Sequence, residues 1–351
     1  MSMSTTIMIL LSLLLIISIA AIAYVYTLSA VGAGHAAKAP EGGARSYSQQ
    51  FCLNAAQNYT AMLFALKSGA GCFRTDISPN QNEIARVANI TKMGGTYLGI
   101  LDYQTVGAQP SPTGCRSGCS WTLNTWNQSV SNAISDYPNV NEWEIWNEPY
   151  IQEFESGYEN GSALNYFEMI KSAYYIIKSK EPNATIVCFG GAQIYPYSTA
   201  IAEYNFYKQV WGYGAASFCS AISIHIYSVP YYNLSQDVQP GVTLAQWYNQ
   251  TINLYENLTH KPIWVTETGI PSNNFTEGVS FSEQRQASFI YQDLSLLSSY
   301  QFIQRIYVFD LAGSPQSGGP DYGLLNSTTL KPKPSWYVFM GFLDNSTSTN
   351  G

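Results

Sequence analysis

Short apolar runs alternate with longer segments of helical spacing along most of this chain. The β-like runs cover residues 71–77, 96–101, 143–146, 185–189, 221–227, 263–266 and 305–309, and a weaker first strand falls between Ser46 and Cys52. Between them, residues 59–66, 83–92, 163–178, 244–258 and 283–297 place apolar side chains three and four apart, the spacing of a helix with one buried face. Seven clear strands and one weak one, mostly followed by a helix, predict an α/β fold of the (β/α)8 TIM-barrel type over residues 46–345. An open, doubly wound sheet is the structural alternative. Residues 103–125, with Gly107, Pro110, Pro112, Gly114 and Trp121, are too long and turn-rich for an ordinary connection. Because they follow a strand end, a barrel places them on the face where long loops shape a cleft.

The pattern differs at the N-terminus. Residues 7–26 form an almost unbroken apolar segment, long enough to cross a bilayer as a helix. It is read as an export element within residues 1–30, either a cleaved signal peptide or an uncleaved anchor. No Lys or Arg precedes it, whereas small residues suited to cleavage follow it. Residues 31–45 are rich in Gly and Ala and read as a flexible linker that carries a solvated His35. With no second apolar run of that length, everything downstream is expected on one side of the membrane, outside the cell.

Composition narrows the partners. The net charge is −7 with 16 Lys and Arg and no basic cluster, which excludes nucleic acid as a partner. The 27 tyrosines and 8 tryptophans supply rings that stack and hydrogen-bond at once, as a sugar-binding cleft requires, although most aromatic rings serve the core. Six cysteines without CxxC spacing give little support to metal binding. Cys115 with Cys119 can close a small loop and Cys52 with Cys72 can staple the start of the barrel, while Cys188 and Cys219 sit in apolar runs and read as buried thiols. The sequence leaves the connectivity open. Eleven Asn-x-Ser/Thr sequons between Asn58 and Asn345 fit a glycosylated surface.

Two runs share one design. Glu142-Trp143-Glu144-Ile145-Trp146-Asn147-Glu148-Pro149 and, 119 residues on, Lys261-Pro262-Ile263-Trp264-Val265-Thr266-Glu267-Thr268-Gly269 are apolar strands that deliver a carboxylate to the rim. A single Glu after a strand is usually a salt-bridge or loop residue; two at matching positions on the fourth and seventh strands are harder to dismiss. Paired carboxyls whose surroundings set their protonation apart are the equipment for cleaving an acetal: one protonates the leaving oxygen, the other attacks or stabilises the reacting carbon. Glu144 lies mid-strand, deep in the barrel, and is read as a structural hydrogen-bonding group.

These runs resemble the clan of retaining (β/α)8 glycoside hydrolases, often called clan A, that includes many cellulases, mannanases, xylosidases and endo-galactanases. The likeness rests on Trp146-Asn147-Glu148-Pro149 and Thr266-Glu267-Thr268-Gly269. Arg74-Thr75-Asp76, Ile224-His225-Ile226-Tyr227 and Asp321-Tyr322-Gly323-Leu324-Leu325 before Lys333-Pro334 join them. The resemblance implies that Glu148 is the general acid/base and Glu267 the nucleophile. Asn147 then donates to the substrate 2-hydroxyl, Arg74 keeps Glu267 ionised, and His225 and Tyr227 orient substrate or nucleophile. Arg74 paired with Asp76 as a structural couple, and His225 as a satisfied core histidine, are the competing readings. Many clan members carry a Trp at the end of the eighth strand; here Tyr307-Val308-Phe309-Asp310 stands in its place, so Phe309 supplies the ring and Asp310 a polar contact.

The expected activity is therefore that of an extracellular retaining hydrolase of β-linked poly- or oligosaccharides of β-glucan, mannan or xylan type. It needs no metal or organic cofactor, and it meets the membrane only through its N-terminal segment. Oligomeric state is not readable. A glycan-binding surface protein without turnover is the alternative, and a tethered cell-envelope protein is the least economical. One conformational expectation is specific: strict alternation sends Asn147 and Glu148 to opposite faces, so both reach one site only if the strand breaks at the rim before Pro149.

Overall fold

The computed structural model describes residues 50–348 apart from 56–57, 108–121, 151–162, 192–196, 229–230, 232, 274–280 and 314–318. These residues belong to one compact unit, Arg45–Gly351. The expected export segment, the linker, and Cys115 and Cys119 lie outside the described residues, among which no helix is long and apolar enough to cross a membrane.

Eight parallel strands close a barrel: β1 (Phe51–Asn54), β2 (Cys72–Asp76), β3 (Thr96–Leu101), β4 (Glu142–Ile145), β5 (Thr185–Gly191), β6 (Ala221–Tyr227), β7 (Ile263–Gly269) and β8 (Ile303–Val308). Each strand pairs with its sequence neighbours, and β1 pairs with β8 to complete the ring. The helices are α1 (Tyr59–Ser68), α2 (Gln81–Lys92), α3 (Leu123–Asp136), α4 (Ala163–Lys180), α5 (Tyr197–Gly212), α6 (Leu244–Thr259), α7 (Glu283–Leu297) and α8 (Pro334–Ser348). Side chains that accept backbone N–H groups start several of them: Asn58 for α1, Asn80 for α2, Ser282 for α7, and capping boxes at Thr122 with Thr125 and Thr243 with Gln246.

Alternation along the strands sorts the interior from the shell. Ile222, Ile224 and Ile226 face outward and join the helices in the main apolar cluster. Cys52, Cys72, Leu98, Val187, Ala221, Trp264 and Tyr307 form a separate cluster of their own. The Cys52–Cys72 disulfide ties β1 to β2 within it. Toward the N-terminal end, Arg305 of β8 lies 4.2 Å over the Trp264 ring and forms an ion pair with Glu142 of β4. Packed side chains thus fill the lower interior and leave the C-terminal rim as the place for chemistry.

Two strands depart from ideal geometry where it matters. Between Val265 and Glu267 the pairing of β7 with β6 skips a residue: Val265 lies opposite Ile224, yet Glu267 lies opposite His225. A bulge of one residue reverses the phase of alternation, so Glu267 turns inward and Thr268 turns outward to hydrogen-bond Asp293 of α7. The fourth strand ends at Ile145, one residue before the expected end, because Trp146 takes a positive φ of 71°.

The sequence expectations for β2 to β8 hold to within three residues at either end, and β1 sits at Phe51–Asn54, later than expected. Helices α3, α5 and α8 were not foreseen. The first follows a turn-rich stretch that hides its start, and α5 and α8 are so rich in aromatic and small residues that no one-sided stripe stands out. One expectation is corrected: Cys188 and Cys219 are not thiols but a disulfide with a Cα–Cα distance of 5.8 Å. The pairing of β5 with β6 brings the middle of β5 beside the approach to β6 and so places them within bridging range. Replacing both by alanine opens a crosslink across a sequence separation of 31 residues. The expected cost is about 2–4 kcal/mol of unfolding free energy in denaturant titration; an unchanged midpoint would show the bridge to be energetically idle.

Candidate active site

Arg74, the middle residue of β2, points into the barrel and is 2% exposed. Its Nε donates to Glu144 Oε2 at 2.5 Å, Nη1 to Glu267 Oε1 at 2.6 Å and to Asn54 Oδ1 at 2.9 Å, and Nη2 to Asn147 Oδ1 at 2.7 Å. Nη2 also faces His225 Nε2 at 3.5 Å. A guanidinium held this way spends every N–H inside the barrel. Its pKa is raised; burial opposes the charge, and Glu144 and Glu267 outweigh burial. Arg74 therefore pairs with Glu144 and Glu267, and Asp76 instead accepts from Gln104 Nε2 at 2.8 Å. Glu144 occupies the deep hydrogen-bonding position expected of it.

Glu267 is 10% exposed at its side chain, with both oxygens engaged: Oε1 by Arg74 and Oε2 by the Tyr227 hydroxyl at 2.5 Å. It lies within β7 and not at its end, and the bulge turns it inward. Burial alone would raise its pKa; His225, Arg74 and the Tyr227 hydrogen bond overcome that and hold the carboxyl below the ordinary 4.5. A lowered carboxyl contributes stability above its unfolded pKa, and that contribution is lost as pH falls through the folded value.

Glu148 reaches the same space by a different route. Past the end of β4, Trp146 and Glu148 both take positive φ, 71° and 51°. The Trp146 amide still donates to Leu101 O of β3, and the Glu148 amide donates to Gly190 O of β5 at 3.0 Å. Gly190 itself has φ 64°, and a Cβ there would meet Trp146 O at 3.0 Å and Glu148 N at 3.3 Å. From α4, the Tyr166 hydroxyl donates to Ile145 O and accepts from Phe189 N, which pins the two strand ends where they leave the ladder. This is the expected break at the rim, and it brings Asn147 and Glu148 to one site. The bond from Arg74 to Asn147 Oδ1 leaves the Asn147 amide N–H groups as donors.

His225 links the two carboxylates: its Nδ1 lies 3.0 Å from Glu148 Oε1 and 3.6 Å from Glu267 Oε2. In the neutral ring, Nδ1–H donates to Glu148 while Nε2 accepts from Arg74. Burial disfavours a charged ring and Arg74 opposes it, but Glu267 and Glu148 prevail and move its pKa up. Phe309 stands with Tyr227 and Tyr322 in a triangle of rings whose centroids are 5.4–6.1 Å apart. Asp310 lies behind them, 3% exposed, with its Oδ1 unpartnered and its pKa pushed up to about 7 by burial and by Asp321.

Asn54 and Tyr322 belong to this site without having been singled out. Asn54 sits on the ill-defined first strand, and its role needs a partner 20 residues away. Tyr322 is carried by the Asp321-Tyr322-Gly323 motif, where it is the ring between two turn residues. Glu148, His225 and Glu267 place an oxygen or nitrogen of each within 4.8 Å of the others, a set that could offer three donors to a cation. The donor set argues against that use, because Arg74 and Tyr227 already occupy both Glu267 oxygens and a divalent ion would sit beside a guanidinium.

Residues 118–337 match the family described as the glycosyl hydrolase catalytic core. No curated protein matches the chain. Among solved structures, a GH2 β-galacturonidase from Eisenbergiella tayi is similar with a TM-score of 0.60 and 16% identity, over 86% of this chain and 51% of that one. A β-D-glucuronidase from Dictyoglomus thermophilum gives 0.56 and 15%, over 85% and 50%. This chain thus spans about half the length of these two enzymes. A GH128 endo-β-1,3-glucanase from Amycolatopsis mediterranei in complex with laminaritriose gives 0.52 and 16%, over 84% of this chain and 99% of that one. At such identities the likeness is one of fold.

The electrostatics of Glu267 can be tested directly. Arg74→Met is expected to move the Glu267 pKa upward, followed by NMR titration of 13C-labelled glutamate carboxyls with Glu267→Gln for assignment. A Glu267 titration that does not move would mean that Arg74 does not set its charge.

Proposed function

Because this chain belongs to the glycosyl hydrolase catalytic-core family, we propose that it is a retaining β-glycoside hydrolase in which Glu267 is the nucleophile and Glu148 the general acid/base. The observation that carries this reading is the close approach of the two carboxylates, an oxygen of each within 4.8 Å, in unlike surroundings. Retaining enzymes hold their carboxyls about 5–5.5 Å apart, whereas inverting ones leave about 6.5–9.5 Å for a water. Two donors keep Glu267 ionised and aimed, and among the described residues the Glu148 carboxyl has one hydrogen-bond partner, the His225 ring.

In the first step, the Glu267 carboxylate attacks the anomeric carbon as Glu148 gives its proton to the departing glycosidic oxygen, so the C–O bond breaks as the ester bond forms. In the second, Glu148, now a carboxylate, takes a proton from water, whose oxygen displaces Glu267. Two inversions retain the β configuration. Asn147 donates to the 2-hydroxyl, where a hydrogen bond that strengthens in the transition state lowers the barrier. Tyr227 and Arg74 hold the nucleophile, and Phe309 with Tyr322 lines the subsite of the reacting sugar.

For substrate we propose a neutral β-linked glucan. A uronic acid calls for a free cation in the cleft. Among the described residues, Arg74 is consumed by its five partners, and Lys333 is buried and bound to Asp321 and Ser272. The similarity to an endo-β-1,3-glucanase along nearly its whole length makes β-1,3-glucan the first polymer to test. We place the protein outside the cell, with residues 46–345 as its catalytic domain. The two disulfides suit an oxidising compartment, and the sequon residues Asn89, Asn183, Asn249, Asn257 and Asn326 are exposed.

Glu267→Gln is expected to abolish turnover of β-1,3-glucan. Glu148→Gln is expected to slow the polymer by about 10²–10⁴-fold, while an aryl glycoside with a good leaving group still releases its phenol in the first step. NMR of the first product should show the β anomer. Normal activity of the Glu267 variant, or an α product, would sink the mechanism. Binding of the glucan without any hydrolysis would favour the non-catalytic alternative.

A further inference from the structure

The two faces of β2 serve different spaces. Arg74 points into the barrel, while its neighbour Thr75 points outward into a cavity of about 180 Å³ between α1 and α2. That is below the roughly 300–1,000 Å³ of sites for drug-sized ligands, so it suits one ring and not a chain. Thr75 and Glu83 line this cavity. Thr75 is 3% and Glu83 9% exposed; among the described residues Thr75 Oγ1 has no hydrogen-bond partner and Glu83 Oε1 none at bonding distance, although the Tyr137 hydroxyl also acts on the Glu83 carboxyl. Buried acceptors of this kind cost stability unless something bonds to them. The other Glu83 oxygen is taken by the Ser78 hydroxyl at 2.6 Å.

The walls define the chemistry of an occupant. Arg86, whose guanidinium lies 5.8 Å from the centre of the Tyr59 ring, argues against a metal cation, and the Glu83 carboxyl argues against an anion. Burial moves the Glu83 pKa up, which weakens the attraction for a cation further. Met62 and the Tyr59 ring supply apolar surface, and Asn82 and Arg86 are exposed donors at the mouth. A molecule with an apolar C–H face and a hydroxyl edge satisfies all of these at once. We propose that this cavity is a second carbohydrate site, separate from the paired carboxylates, that holds one neutral sugar residue with its hydroxyls on Thr75 Oγ1 and Glu83 Oε1. That the occupant is a sugar rests on the proposed glycoside hydrolase activity.

Met62 gives a local probe, because its methyl group can be observed by NMR among the 7 methionines once Met62→Leu assigns it. Full-length protein with 13C-methyl methionine is titrated with methyl β-glucoside, methyl β-galactoside and methyl β-xyloside, and separately with calcium chloride. The expected result is a saturable shift of the Met62 signal with at least one glycoside. Apparent affinity should fall at least tenfold in Thr75→Val, a near-isosteric change that keeps the fold. No shift with any glycoside, an equal titration in Thr75→Val, or an equal shift with calcium would overturn the site. A silent Met62 in an active enzyme refutes the cavity alone, and a responsive Met62 in a protein without hydrolysis refutes the catalytic reading alone.

Discussion

A single buried guanidinium organises the upper half of the barrel. Arg74 sits on β2, and its N–H groups reach residues of β1, β6 and β7, Glu144 within β4, and Asn147 just past the end of β4. A cation in a barrel interior is costly unless carboxylates and hydrogen bonds surround it, and two glutamates with two amides do so here. The same contacts set the chemistry. One carboxylate of the pair, Glu144, is spent on holding Arg74, and the other, Glu267, is held by it in turn. The barrel strands are therefore tied together at the level where the reacting groups stand, by interactions whose loss would leave a charge stranded among buried atoms.

Much of this was legible in the chain. The strands are buried on both faces, so their apolar runs stand out, and Glu148 and Glu267 are conspicuous as carboxylates against those runs. Arg74, His225 and Tyr227 were marked by the resemblance to the clan of retaining (β/α)8 glycoside hydrolases, which their motifs on β2 and β6 carry. Asn54 was not, because its strand is only four residues long and its partners are Arg74 and Thr266, the latter 212 residues away. The Cys188–Cys219 bridge escaped for the same reason: nothing local marks two apolar cysteines as neighbours until β5 pairs with β6. The position of Glu267 within β7 was also hidden. Strict alternation from Trp264 sends it outward, and only the skipped residue in the pairing with β6 turns it in.

That skipped residue and the break after β4 are two solutions to one geometric difficulty. Strands meet a barrel interior with every second side chain, but a bond-breaking site needs several groups at one height. On β7 an extra residue changes the phase; on β4 two positive φ angles end the strand and let Asn147 and Glu148 share a side. The first lies within the upper half of β7 and the second just past the end of β4. Below them, the disulfide between Cys52 and Cys72 and the pair of Arg305 with Glu142 tie strands together across a filled interior.

Gly190 bears on how such a protein can diversify. The height of Glu148 is set by backbone meeting backbone, its amide on the Gly190 carbonyl, at a point where even one added carbon would press on Trp146 O. No side chain takes part in that contact. Substitutions that reshape the rings around the cleft can thus leave Glu148 where it stands, provided position 190 stays without a side chain. Change in the cleft walls and constancy in the position of Glu148 are separated by one hydrogen bond between adjacent strands.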